Sequence, residues 1–381
     1  MRVLLTGGGT GGHVYPALAI AELIKRNFPG SEIAFVGTER GIENQLVPAA
    51  GYHLYHINIQ GIQRSLSPSN FKTAYLVLTS PRKAKKIIEE FLPDLVIGTG
   101  GYVSWPLLRA ASSMGIPTMV HESNALAGVA VRQIQSRVDV ILTNFEETAE
   151  GLSRAGRKRA VTVGNPLRTT ISTLTREEAR KKLGIDEKIK FVILSFGGSL
   201  GAYKLNEAAA MLGRSFVATH GDVMQIHAGG TRAAEHARET FAAYGIDGEE
   251  RCVLHDYLYD MPTYLAAADL VISRAGAMTL TEIASLRKPS ILVPYPHATD
   301  NHQYKNAAVL AEAGAAILME EATMTEEGLC AAVERIYSDG AAREAMSAAL
   351  EAFHKPDVER RIHDEIVALL RRKQAERGVI R

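Results

Sequence analysis

Short apolar runs alternate with stripes of helical period along the whole chain. In the first half the runs fall at residues 2–5, 32–37, 52–57, 94–98, 118–121 and 140–143. In the second half they fall at 191–196, 223–227, 251–254, 270–273, 290–293 and 315–319. Each is short enough for a strand and apolar enough to be buried on both faces, and helical stripes separate many of them, from 14–26 onward. This is the βαβ rhythm of a doubly wound parallel sheet, an α/β fold. It occurs twice. Between the halves, Gly164-Asn165-Pro166 punctuates the chain, and residues 169–183 turn polar. The expected division is 1–164 and 165–357. A helix at 358–381, with Ile362, Ile366, Leu369 and Leu370 at helical spacing, is expected to pack back onto the first domain.

Length supports two cores, since 381 residues is long for one. A hydrophobic content of 46% with 33 glycines fits many strand-to-helix turns. The two cysteines, Cys252 and Cys330, have no metal-ligand spacing and suggest no disulfide framework, which points to a reducing cytoplasm. Met1-Arg2 runs straight into a strand with no signal-peptide core, and no apolar run approaches the roughly 20 residues a membrane span needs. The expectation is a soluble or peripheral protein. The net charge of +1 argues against nucleic acid as a partner. Residues 1–164 nevertheless hold 17 Lys and Arg against 12 Asp and Glu, leaving 26 against 30 in the remainder. The basic half is the one to examine for an anionic surface.

In doubly wound sheets ligands gather at the carboxyl ends of strands. Three such ends carry glycine-rich turns leading into helices: 6–13, 197–202 and 274–277. Glycine lets backbone approach a diphosphate, and a helix start offers unpaired N–H groups. Beyond the third turn Glu282 lies one helical turn in, where a carboxylate suits the vicinal hydroxyls of a ribose. The polar loop 297–303 suits sugar hydroxyls. Phosphate, ribose and sugar together imply a sugar nucleotide. Each of these residues has a plainer reading as a solvated surface group. Gly7, Gly9 and Gly12 also match G-x-G-x-x-G, with Glu39 after the second strand, so a dinucleotide site is a competing reading. His13 is either a general base or a cap on its turn. Residues 98–102 and 121–124 end neighbouring strands and are expected beside the first glycine loop.

The stripe Phe71, Ala74, Tyr75 and Leu78, widened by Leu76 and Val77, precedes Arg82, Lys83, Lys85 and Lys86. It reads either as a core helix with a solvated basic end or as a surface for an anionic membrane, with Trp105 packed or part of that patch.

Taken in order, Gly8-Gly9-Thr10-Gly11-Gly12-His13, His121-Glu122-Ser123-Asn124, Gly164-Asn165-Pro166-Leu167-Arg168, Gly197-Gly198-Ser199-Leu200-Gly201-Ala202, Arg274-Ala275-Gly276-Ala277 to Glu282, and Asp300 to Gln303 resemble the MurG family of bacterial cell-wall glycosyltransferases. The resemblance spans nearly the whole chain. It implies a GT-B fold, two Rossmann-like domains facing a central cleft. It also implies transfer of N-acetylglucosamine from UDP-GlcNAc to the C4 hydroxyl of the muramyl sugar of lipid I, giving lipid II at the cytoplasmic face of the membrane. Implied donor contacts are Glu282 at the ribose, the Leu258 backbone at the uracil, Ser199, Ala277, Met278 and Thr279 around the diphosphate, Arg168, and His302 and Gln303 at the sugar. The acceptor-side positions are His13, the 9–12 backbone with Gly9, Tyr102, Glu122 and Asn124. Thr10, Gly11, Gly12 and Asn124 are also assigned to the donor. The family commonly carries Gln at the positions of Ser123, Leu200 and His302, so Leu200 keeps only a backbone role.

Such a transfer inverts the anomeric centre and needs a base, His13 first and Glu122 second. It also needs stabilisation of the departing diphosphate. No D-x-D run is present, so neither a protein-bound metal nor another cofactor is expected; Mg²⁺ travelling with the diphosphate is compatible with this. Three rivals are a UDP-sugar epimerase of the same fold, a nicotinamide-dependent oxidoreductase, and a non-catalytic UDP-sugar-binding subunit.

Overall fold

A computed structural model describes residues 1–59, 69–167 and 174–379. The chain forms two compact units, Met1–Leu167 with Lys355–Arg381, and Arg168–His354.

The first unit holds a parallel sheet of β1 (Arg2–Thr6), β2 (Glu32–Gly37), β3 (His53–His56), β4 (Leu95–Gly98), β5 (Thr118–Glu122), β6 (Val140–Thr143) and β7 (Ala160–Thr162). Their order is β3-β2-β1-β4-β5-β6-β7. Alternation along β1 splits its side chains between two cores. Val3 and Leu5 pack with the helix Gly11–Asn27, whereas Leu4 packs with Ile88, Phe91 and Leu107. The final helix, Val358–Val379, joins the first of these cores through Ile362, Ile366 and Leu369, all buried. Burying three such side chains stabilises the unit by roughly 5–9 kcal/mol, so the tail is part of this core rather than an appendage.

The second unit holds β8 (Phe191–Phe196), β9 (Val223–Ala228), β10 (Cys252–His255), β11 (Leu270–Ser273), β12 (Ser290–Leu292) and β13 (Ile317–Leu318), again parallel, in the order β10-β9-β8-β11-β12-β13. The order reverses between β1 and β4 in the first sheet and between β8 and β11 in the second. Crevices open where adjacent crossovers run to opposite sides. The chain places its glycine turns after these four strands.

Two local expectations change. The first helix begins at Gly11 rather than at 14, because the Thr10 carbonyl accepts the N–H groups of both His13 and Val14, so Gly11, Gly12 and His13 form its first turn. β7 is an added strand. Only three residues long and followed directly by the Gly-Asn-Pro break, it carries too little pattern to stand out.

Among the described residues no helix is long and apolar enough to cross a membrane. The helix Ser69–Phe91 is present and exposes Arg82, Lys83, Lys85 and Lys86. The side chains of Phe71, Ala74, Tyr75, Val77 and Leu78 lie outside the described residues. Trp105 packs against the first unit's core with the Arg109 guanidinium 5.3 Å from its ring centroid.

Candidate active site

At the first switch point the loops after β1 and β4 interlock. The Thr99 hydroxyl donates to the His13 carbonyl at 2.6 Å, fastening the helix start to the end of β4. Gly100 and Gly101, at φ +99 and +77, make room for the imidazole. A Cβ at Gly100 would lie 2.6 Å from His13 Cδ2, and one at Gly101 only 2.4 Å from the Gly8 carbonyl oxygen. His13 Nδ1 sits 3.3 Å from that same carbonyl oxygen and 3.3 Å from Thr10 Oγ1. A carbonyl only accepts, so this contact favours the tautomer with its proton on Nδ1, in which Nε2 is the basic nitrogen. Tyr102 packs over Gly9, 3.4 Å from where a Cβ would be. His13, Gly9, Tyr102 and the 98–102 loop are therefore brought together.

Glu122, at the end of β5, is engaged by its own loop. Its Oε1 accepts the backbone and side-chain N–H groups of Asn124 at 3.0 and 2.9 Å, and its Oε2 accepts Gly128 N–H at 2.7 Å. A buried carboxylate with both oxygens engaged shapes its own loop, so the geometry argues against it as the proton acceptor. Neighbouring His121 is fully buried, donates from Nε2 to Gly164 O at 2.9 Å, and is held below the ordinary imidazole range by burial.

At the second switch point the 197–202 loop rests on another glycine pair that sequence reasoning missed. A Cβ at Gly201 would fall 2.0 Å from Gly229 O, and one at Gly230 2.0 Å from Gly201 N. The backbones touch. The Thr231 N–H and hydroxyl both donate to Ser199 O at 3.0 Å, fixing the turn that exposes Ser199 and Leu200. The available signal was a strand running into Gly-Gly, the pattern noticed elsewhere. Beneath, His227 links Ser195 Oγ at 2.8 Å to Asn206 Oδ1 at 2.9 Å. Burial pushes it down to about 3, so it is a neutral brace between β8, β9 and the helix Tyr203–Ser215.

Gly276 precedes the helix Ala277–Ser285 and gives it no side-chain cap. The N–H groups of Met278 and Thr279 carry no acceptor among the described residues. Arg274 is fully committed: its Nη1 donates to the carbonyls of Val293 and Pro294 at 3.1 and 3.0 Å, and its Nη2 pairs with Glu321 at 2.5 Å. It ties the β11 turn to the loop after β12. In that loop Gln303 Oε1 accepts Tyr295 N–H at 2.9 Å, and His302 Nδ1 donates to Thr299 O at 2.8 Å, which leaves Nε2 as its acceptor nitrogen. Leu258 is buried. Arg168 lies outside the described residues. Among the described residues no three His, Cys, Asp or Glu side chains gather as a metal site.

Glu282 has no hydrogen-bond donor among the described residues, and burial pushes its carboxyl up to about 7. Near neutrality it is therefore part protonated, whereas hydroxyl donors favour its ionised form. Donor affinity should rise between pH 6 and 8 and be flat in Glu282→Gln. UDP-GlcNAc is the proper probe, because its diphosphate is esterified at both ends and lacks the terminal-phosphate ionisation near pH 6. Calorimetry at several pH values checks this; a wild-type affinity independent of pH would remove Glu282 from the donor. Stability runs the other way. With the folded value above the ordinary 4.5, the protonated carboxyl's contribution is full below about 4.5 and is lost as pH rises through about 7.

Two doubly wound parallel-sheet units with glycine turns at both switch points have the architecture of the GT-B class. The match to known families is direct. Residues 3–143 match the glycosyltransferase family 28 N-terminal domain, and residues 192–362 its C-terminal domain. A UDP-N-acetylglucosamine--N-acetylmuramyl-(pentapeptide) pyrophosphoryl-undecaprenol N-acetylglucosamine transferase from Desulforudis audaxviator is 41% identical over 93% of this chain and 95% of its own. One of the same description from Clostridioides difficile is 39% identical over 96% and 88%. The crystal structure of Acinetobacter baumannii MurG superposes with a TM-score of 0.75 at 28% identity, covering 96% of this chain and 99% of that one. A UDP-GlcNAc 2-epimerase from Neisseria meningitidis, bound to UDP-GlcNAc, covers 97% and 100% with a TM-score of 0.64, but at 14% identity it shows the fold alone. The chain belongs to the MurG family of N-acetylglucosamine transferases within glycosyltransferase family 28, and it is a hexosyltransferase.

Proposed function

We propose that this chain moves GlcNAc from UDP-GlcNAc to the C4 hydroxyl of the muramyl sugar in lipid I, with inversion, making lipid II for peptidoglycan. The observation that carries this reading is His13, whose ring is held between two glycine loops at the carboxyl edge of the first sheet with Nε2 as its basic nitrogen. A protein that only bound the sugar nucleotide would need no base, and an epimerase would use its base on the donor sugar, so dependence on the acceptor separates the readings. The identity to transferases over nearly the full chain supports the same choice. As a source of wall precursor, the enzyme would bear on cell shape and division.

In the proposed reaction the acceptor C4 oxygen forms a bond to C1 of GlcNAc as the bond from C1 to the UDP oxygen breaks. UDP leaves with the electron pair, and the C4 proton passes to His13 Nε2. The N–H groups of Met278 and Thr279 and the Ser199 turn would stabilise the diphosphate, with Ala277 lining the site and Arg168 adding charge. Glu282 would hold the ribose, Leu258 the uracil through its backbone, and His302 Nε2 and Gln303 the sugar. Thr10, Gly11, Gly12, Tyr102 and Asn124 would line the acceptor side, with Thr10, Gly11, Gly12 and Asn124 also assigned to the donor. No protein-bound cofactor is part of the proposal.

Lipid I is membrane-held, which supports peripheral attachment to an anionic cytoplasmic membrane surface. The exposed cluster Arg82, Lys83, Lys85 and Lys86 is the proposed contact, each basic residue contributing about 1 kcal/mol near such a surface. Reversing all four charges should abolish sedimentation with anionic vesicles while a soluble acceptor analogue is still glycosylated. Unchanged vesicle binding would move the contact elsewhere. Acceptor-dependent release of UDP tests the reaction itself, since an epimerase would convert the donor alone.

A further inference from the structure

A carboxylate outside the reacting groups shapes the first glycine loop. Glu43, the first residue of the helix Glu43–Ala49, is fully buried. Its Oε2 accepts the Gly9 N–H at 3.0 Å, and its Oε1 accepts the N–H and hydroxyl of Thr38 at 2.9 and 2.8 Å. Burial works against its charge, yet these donors outweigh that and hold the carboxyl below its ordinary range. Glycines from three segments make the space. A Cβ at Gly41 would lie 1.9 Å from Oε2, one at Gly8 2.7 Å from Oε1, and one at Gly37 2.6 Å from Cγ.

A buried charge with no paired cation among the described residues is expensive, and an apolar side chain would fill the same volume. What the carboxylate supplies is control of one peptide plane. The Gly9 N–H and the Gly8 carbonyl belong to the same planar unit and point in opposite directions. Glu43 holds its N–H edge, and His13 Nδ1 meets its carbonyl edge at 3.3 Å. Thr10 Oγ1, also 3.3 Å from Nδ1, is a hydroxyl that suits either tautomer, whereas the carbonyl favours the one with its proton on Nδ1. A carboxylate on the N–H also polarises the peptide and strengthens the carbonyl as an acceptor. The Gly9 N–H is thereby turned away from any ligand. The N–H groups of Thr10, Gly11 and Gly12, which have no acceptor among the described residues, remain for substrate.

We propose that Glu43 is the positioning residue for His13, clamping the Gly8–Gly9 peptide so that the imidazole is presented with Nδ1 protonated and Nε2 basic. The proposal rests on His13 being the base.

The test is a double-mutant cycle on the full chain, with kcat measured on a soluble lipid I analogue and UDP-GlcNAc affinity by calorimetry. Glu43→Gln keeps the volume but turns an amide donor toward groups that are themselves donors. The expected result is a fall in kcat of tenfold or more with donor affinity changed less than twofold, and no further fall when Glu43→Gln is added to His13→Ala. Thr38→Val, which removes one of the three hydrogen bonds, covers the case in which Glu43→Gln does not fold. It should lower kcat two- to fivefold, again only while His13 is present. Equal losses with and without His13, or wild-type kcat in Glu43→Gln, would overturn the positioning role. Wild-type kcat in His13→Ala would instead overturn the assignment of the base, so the two failures are separable.

Discussion

His13→Ala should lower kcat by about 10²–10⁴-fold while UDP-GlcNAc still binds with wild-type affinity. The magnitude is that of a positioned general base. The separation between kcat and binding follows from where the residue stands. His13 is set among the loops after β1 and β4, whereas the groups proposed for the diphosphate, ribose and uracil, Ser199, Met278, Thr279, Glu282 and Leu258, belong to the other unit. A group that acts only on the acceptor proton leaves the ground-state donor complex unaltered. Steady-state kinetics with a soluble lipid I analogue, together with calorimetry of UDP-GlcNAc, measures both quantities. An equal loss of donor affinity would mean that His13 holds the donor and that the base lies elsewhere.

Glu282→Ala does the reverse. It should weaken UDP-GlcNAc binding by roughly 10- to 100-fold, the worth of one charge-assisted hydrogen-bonding group at about 1.5–3 kcal/mol, and leave kcat at saturating donor far less affected. The effect is larger at pH 8 than at pH 6, because burial places the carboxyl at about 7 and only the ionised form is lost in full. The same substitution should raise thermal stability at pH 8, since a half-buried ionised carboxylate without a donor among the described residues is removed. Opposed changes in affinity and stability mark a group kept for its ligand rather than for its fold. A variant that loses stability at pH 8 would contradict that account.

The strand–helix rhythm was legible because a parallel sheet buried on both faces writes its strands as uninterrupted apolar runs, of which 191–196 and 270–273 are the clearest. The glycine turns were legible for a related reason. Where backbone must approach a ligand or another backbone, side chains are excluded and Gly recurs. That same exclusion hid what each glycine is for. Gly8 and Gly41 leave room for the Glu43 carboxylate, Gly100 and Gly101 for the His13 ring, and Gly201 and Gly230 for each other. Sequence proximity gives no sign of these pairings, since Glu43 and Gly9 are 34 positions apart. The loop contacts of Glu122 were hidden for the converse reason. Its hydrogen-bond partners, Asn124 and Gly128, are close in sequence, but only the folded loop turns their N–H groups onto it. Arg274 likewise looked like part of a phosphate turn and proves to be a strut between two loops, a role set by carbonyls 19 and 20 residues downstream.

The most direct test of the central claim is transfer of labelled N-acetylglucosamine from UDP-GlcNAc to a short-chain lipid I analogue, with UDP release followed in the same reaction. Label should enter the analogue at the muramyl C4 oxygen with inverted configuration, and UDP should appear in equal amount only when the acceptor is present. Conversion of the donor without acceptor, or UDP release with no label transferred, would contradict the account.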